Sequence, residues 1–233
     1  MSVLDSTPEP PPVPVIALDG PAASGKSTVG RGVADALGLF YFDTGLLYRA
    51  LTWLALQHGV PASDAEGLVR LLERVGLLVE HHRDGDPSVM TEGRDIAAEV
   101  HTPAVDARVS AVSAHPEVRE ALRPVQRAVI QAPGVVMAGR DIGTIIVPEA
   151  PLKIWLSASA AERARRRATQ TGQRYEDVLE RMQRRDELDG SRSVAPMQPA
   201  PDAVEVSTDG LPPEGVVERI LDLARERLGI AAP

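Results

Sequence analysis

The 233-residue chain contains no cysteine and no asparagine, and only two lysines, Lys26 and Lys153. Without cysteine there can be no disulfide, thiolate metal ligand or cysteine nucleophile. Without asparagine, the guanine-reading N-K-x-D motif of a conventional switch GTPase lacks its first residue. Aromatics are sparse too, with two Phe, two Trp and three Tyr. Few rings and a net charge of −8 disfavour a protein that stacks on single-stranded bases or neutralises a phosphate backbone. No apolar run approaches the roughly 18 residues of a membrane span. The N-terminus lacks the basic start and apolar stretch of a secretory signal. The expectation is a soluble, cytoplasmic protein without nucleic-acid or membrane partners. The five histidines, His58, His81, His82, His101 and His115, have no metal-ligand spacing and are expected on the surface or in loops.

What is present is arginine. It supplies 23 of the 25 basic residues, and nine of these fall between Arg163 and Arg192. A GC-rich genome accounts for the overall bias but not for the cluster. A local arginine field on an acidic protein suits a small polyanionic ligand.

At about 100–200 residues per domain, the length fits one domain with insertions. Residues 1–12 are rich in proline and are expected to form a disordered tail, leaving 13–233 as the folded unit. Val13–Leu18 reads as a buried strand, followed by a glycine-rich turn and a helix over Lys26–Leu37 that Gly38 closes. Leu39–Phe42, Val135–Ala138, Leu152–Ser157 and Ala203–Val206 read as further short strands. Helices are expected over Leu46–Gln57, Ala160–Thr169, Tyr175–Leu188 and Pro213–Leu228. Ser63 and Glu66 carry a capping-box pattern for another helix, ended by Gly76. Asp84-Gly85-Asp86-Pro87 predicts a hairpin between Leu77–His82 and Ser88–Thr91. Pro103, capped by Thr102, and Pro116 each start a helix, and Pro124 predicts a kink in the second. Strands alternating with helices imply an α/β fold with a parallel sheet.

The sharpest motif is Gly20-Pro21-Ala22-Ala23-Ser24-Gly25-Lys26-Ser27, followed by Thr28. It fits G-x-x-x-x-G-K-[ST], which a chain of this length matches by chance roughly once in a hundred. Glycines let the backbone curl so that N–H groups face a phosphate, and the helix beginning at Lys26 adds its positive dipole end. Lys26 reaches the β- and γ-phosphates, and the Ser27 hydroxyl is the candidate Mg²⁺ ligand. The motif indicates a nucleoside triphosphate without saying what is done with it.

Three further segments stand downstream: Asp43-Thr44-Gly45 with Tyr48-Arg49, Gly139-Arg140-Asp141-Ile142-Gly143-Thr144, and Arg185–Arg192 followed by Ser193-Val194-Ala195-Pro196. Taken singly, they fit a helix start, a surface ion pair and a solvated helix face. Together, in this order after this P-loop, they resemble the bacterial cytidylate kinases over nearly the whole chain from Pro14.

That resemblance implies a P-loop core with an enlarged monophosphate-binding insertion, about 60–105, and a short arginine-rich lid, about 160–172. It implies transfer of the ATP γ-phosphoryl to CMP or dCMP, with Mg²⁺, by a monomer. By position it implies that Thr44, Tyr48, Arg49, Arg140 and Arg192 hold the monophosphate. Ser110, Arg119 and Asp141 would read cytosine, Arg185 and Asp189 would hold the ribose, and Arg163, Arg166 and Arg167 would close over the ATP phosphates. One position departs from the usual P-loop kinase pattern. Ala138 stands where a strand-end acid often helps hold the metal, which leaves Ser27, the phosphates and water.

Overall fold

The structure, a computed structural model, describes residues 13–82, 86–190 and 195–230. The Pro-rich tail, the Asp84-Gly85 tip of the expected hairpin and Arg192 lie outside these residues.

Five parallel strands form the central sheet: β1 (Val15–Asp19), β2 (Phe40–Asp43), β6 (Val135–Gly139), β7 (Leu152–Ser157) and β8 (Val204–Ser207). Their order across the sheet is β2-β6-β1-β7-β8. Every residue of β1 and β6 is buried, because both faces of a parallel sheet are covered. Alternate side chains feed two cores. Ile16, Leu18, Val136 and Ala138 pack under α1 (Lys26–Leu37) and α9 (Pro213–Leu228). Val15, Ala17, Val135 and Met137 pack with α2 (Gly45–Gln57), α3 (Ala65–Val75) and α6 (Pro116–Ala128). Gly30 brings α1 close to the sheet, since a Cβ there would lie 2.6 Å from the Tyr41 ring.

The segment between α2 and β6 carries a second, antiparallel sheet of β3 (Leu78–Glu80), β4 (Ser88–Thr91) and β5 (Arg94–Asp95). β3 and β4 pair antiparallel, as the expected hairpin requires, with Val79 opposite Val89. The short helices α4 (Pro103–Asp106) and α5 (Val109–Ala114) follow. The Thr102 hydroxyl accepts from Val105 N–H, so that cap is formed. The α3 cap differs from expectation. Asp64, not Ser63, accepts from the Gly67 N–H at 2.8 Å, because its carboxylate reaches into the first turn while Glu66 pairs along the helix with Arg70. His81 lies in the loop after β3, as expected, and is half-buried. Its ring stacks on Phe40 with centroids 4.1 Å apart, and burial lowers its pKa. Pro124 lies inside α6, which is one helix from Pro116 to Ala128. Helices α7 (Ala160–Thr171) and α8 (Tyr175–Gly190) pack together beyond β7. Among the described residues no helix is long and apolar enough to cross a membrane.

The strand order places β1 at the switch point. The chain leaves β1 to build β2 and β6 on one side, then crosses to β7 and β8 on the other. In open α/β sheets, ligands bind beyond the carboxyl ends of the strands at such a crevice. Asp19, Asp43, Gly139 and Ser157 stand at four of those ends.

Candidate active site

The P-loop joins β1 to α1. Gly20 opens it at φ 152°, and a Cβ there would stand 2.3 Å from the Leu156 carbonyl oxygen, so only glycine fits. Gly25 ends the loop in the left-handed region at φ 96°. Cationic or hydroxyl groups take up the loop carbonyls. Lys26 Nζ donates to the Gly20 and Pro21 oxygens, each at 2.7 Å. Arg163 Nη1 donates to Ala22 O at 3.2 Å, and the Thr208 hydroxyl donates to Ser24 O at 3.3 Å. Apart from the Ser24 N–H, which donates to Pro21 O at 3.4 Å, a loop whose carbonyls are engaged in this way can offer its N–H groups to an anion. Ser27 and Thr28 are exposed on the first turn of α1.

Lys26 is only 7% exposed. Burial and the neighbouring Arg140 push its pKa well below the usual lysine range, while Asp43 and Asp19 act in the opposite sense. The ammonium thus sits in a site already short of negative charge, which a polyphosphate would supply.

Arg140 approaches from the end of β6. Its Nη1 donates to Gly20 O at 3.0 Å, so one carbonyl receives both Lys26 and Arg140. Its Nε faces Asp189 Oδ2 at 3.4 Å, and Arg185 lies 3.9 Å from the same oxygen. Thr44 donates to Ala138 O at 3.1 Å at the adjacent strand end. Arg140, Thr44, Arg185 and Asp189 therefore converge beside the P-loop.

Behind them, Arg119 and Asp141 form an ion pair, with side chains 8% and 7% exposed. Arg119 also donates to Ser113 O at 3.1 Å and lies 5.3 Å from the centre of the Tyr48 ring. Burial opposes the Arg119 charge, but Tyr48 and Asp141 outweigh it and hold its pKa above the usual value. Tyr48 is thus buried under Arg119, with its hydroxyl 3.5 Å from Gln126 Nε2. Ser110 is half-buried on α5 and accepts through its carbonyl from Ser113. Arg49 is paired with Asp106 at 2.6 Å and donates to Val100 O.

The α7 arginines separate into two kinds. Arg163 is buried and pairs with Asp186 at 2.7 Å. Arg166 donates to the Thr208 hydroxyl and carbonyl at 2.8 and 2.7 Å. Both are therefore tied to the P-loop or to the loop after β8. Arg167 is exposed and bonded to Gln170 in its own helix, away from the other two.

Several participants were given no role by motif reading, although Asp43 and Asp186 lie within the quoted segments. Asp43 is paired in register with Ala138, so an acid does stand at that end of the sheet, one strand over. It acts electrostatically on both Lys26 and Tyr41, whose hydroxyl is buried beside Ser27. Ser27 with Asp43 offers one hydroxyl and one carboxylate. That suits Mg²⁺, which commonly takes one or two carboxylates, substrate phosphates and water rather than a full protein cage. No cluster of three or more His, Cys, Asp or Glu side chains suited to a metal occurs among the described residues. Thr208 and Asp186 were also missed. The signal available for several of these was a polar residue closing an apolar strand.

Asp19 is a deeply buried acid, at 4% exposure. Its Oδ1 accepts from Ile142 N–H and its Oδ2 from Gly143 N–H, both at 2.8 Å, and burial raises its pKa to about 6. The folded carboxyl therefore keeps a proton that the unfolded one releases near 3.8. Stability tied to Asp19 is complete below about pH 4 and lost as pH rises through about 6, a change of about 3 kcal/mol. The unfolding free energy of Asp19→Asn should rise relative to wild type by about that amount between pH 4 and 7. A pH-independent difference in denaturant titrations would show that the charged carboxylate carries no burial cost.

The sequence profile described as Cytidylate kinase matches residues 16–226. Cytidylate kinases of Mycolicibacterium paratuberculosis and Mycobacterium avium are each 44% identical, over 93% of this chain and 97% of theirs. A bifunctional pantoate ligase/cytidylate kinase of Synechococcus elongatus is 46% identical over 94% of this chain and 44% of its own length. With a P-loop at the switch point of a parallel sheet and an arginine-lined site beside it, this kinase belongs to the cytidylate kinase family.

Proposed function

We propose that the enzyme transfers the γ-phosphoryl group of ATP to the phosphate of CMP or dCMP. The observation that carries this reading is the shared Gly20 carbonyl: Lys26 from the triphosphate cradle and Arg140 from the acceptor side donate to one oxygen. Two phosphate-binding cations held so close suit two phosphates that must meet in line.

In this reading Lys26, Ser27 and the P-loop amides hold the triphosphate, and Arg163 and Arg166 cover it from the lid at about 160–172. Arg140, Thr44 and Arg49, with Arg192 in the segment after α8, hold the acceptor phosphate. The Arg185 and Asp189 pair lies where a ribose would be gripped. Arg119 and Asp141 face the base, with Ser110 nearby and Tyr48 supporting Arg119. The insertion at about 60–105 encloses the acceptor side. Mg²⁺ would be held by Ser27 and Asp43 and would screen charge on the transferring phosphoryl group.

No strong general base is required, since a phosphomonoester loses its second proton near pH ~6. The protein's task is to align two polyanions and keep water away from the phosphoryl group. Initial rates of ADP formation with CMP, dCMP, UMP, AMP, GMP and shikimate as separate acceptors test the proposal. CMP and dCMP should dominate. A preference for any other acceptor overturns the base assignment, and failure with all of them overturns the reaction.

A further inference from the structure

Asp19 is the last residue of β1, yet both of its carboxylate oxygens are spent on the acceptor side of the site. The two N–H groups it receives, from Ile142 and Gly143, open the single π-helical turn Ile142–Ile146. Helical turns leave their first N–H groups without internal partners, and a buried one needs an acceptor. The turn's own bonds fasten it to the preceding residue: Ile145 and Ile146 N–H donate to Asp141 O at 2.9 and 3.2 Å. Asp141 is therefore suspended between two anchors, Arg119 on its carboxylate and the turn, fixed by Asp19, on its backbone.

The next residue, Gly20, carries the carbonyl shared by Lys26 and Arg140. Adjacent residues at one strand end thus set the positions of the triphosphate lysine, the acceptor arginine and the turn behind Asp141. A carboxylate here binds no phosphate, and charge repulsion from Asp141 adds to its burial cost. What the position needs is a forked acceptor with two oxygens aimed at two successive amides, which a side-chain amide or a single hydroxyl does not provide.

We infer that Asp19 is a positioning residue for acceptor selection: by holding the Ile142 and Gly143 amides it sets where the Asp141 carboxylate stands relative to the P-loop. The inference rests on the base-reading role proposed above for Asp141.

Asp19→Asn tests it, because the amide turns a donor toward one of the two N–H groups while keeping the size. The expected result is a CMP-over-UMP ratio of kcat/KM reduced on the order of 10-fold, with KM for CMP raised and KM for ATP within about twofold of wild type. The double variant Asp19→Asn/Asp141→Asn should show the ratio of Asp141→Asn alone, because both substitutions act on one contact. An unchanged ratio, or equal increases in KM for ATP and CMP, overturns the role. Asp19→Ser keeps one acceptor with less bulk and carries the same expected split if the Asn variant does not fold. Asp141→Asn measured alone separates the two ideas. If it leaves the ratio unchanged while Asp19→Asn changes it, Asp141 is not the reader, but the Asp19 anchoring of the turn stands. Unchanged ratios in both sink the Asp19 role.

Discussion

Lys26→Ala is expected to lower kcat by about 10²–10³-fold, the cost of removing one preorganised donor from developing transition-state charge. KM for CMP should change little, because the acceptor groups Arg140, Thr44 and Asp189 keep their own partners. Stability should not fall with activity. Lys26 is buried beside Arg140 and its charge is disfavoured there, so its removal relieves a desolvation and repulsion cost. That combination distinguishes a catalytic lysine from a structural one, whose loss would lower the melting temperature and leave the turnover of the folded fraction intact. Arginine should not rescue the defect. The ammonium sits 2.7 Å from two loop carbonyls in a site with 7% exposure, and a planar guanidinium has neither the room nor the point geometry. Near-wild-type turnover in Lys26→Ala would remove the phosphate-cradle role.

Asp141→Asn should narrow the CMP/UMP ratio of kcat/KM by roughly 5–150-fold, the equivalent of one base-edge contact worth about 1–3 kcal/mol. Cytosine presents an amino donor at N4 where uracil presents an oxygen. A carboxylate can only accept, so it rewards the first and repels the second, whereas an amide can turn either face. Asparagine is the informative substitution because it retains an oxygen for Arg119. Asp141→Ala would strand a buried guanidinium and cost about 3–5 kcal/mol of stability, which would confuse specificity with folding. A ratio unchanged in Asp141→Asn would take the carboxylate out of base reading, and an increase in UMP turnover alone would show that repulsion rather than attraction makes the choice.

Helix α8 carries a partner for an arginine of α7 and for the arginine that follows β6. Asp186 holds Arg163, and one turn later Asp189 holds Arg140. Their spacing on the helix ties Arg163 and Arg140 to one element.

The strand–loop–helix around Lys26 was legible in the residues alone, because a G-x-x-x-x-G-K-S motif between an apolar strand and a glycine-closed helix leaves its glycines and its lysine little other use. Local chemistry likewise marked the α/β alternation, the pairing of the hairpin strands, and the Thr102 cap. Local competition misled only where neighbours were chemically equivalent, as with Ser63 and Asp64 at the start of α3. The tertiary structure decided what no spacing encodes. Asp43 stands beside Ala138 because β2 pairs with β6 across 95 residues of chain. Asp19 meets Ile142 and Gly143 because β1 and β6 are neighbours in the sheet. Arg163 and Arg166 reach the P-loop and the loop after β8 while Arg167, next in sequence, faces water, because adjacent residues on a helix point about 100° apart. A motif fixes chemistry that lies within one turn of the chain. The partners of a buried charge are set by which strands pair, and strand pairing is settled by burying both faces of the sheet at once.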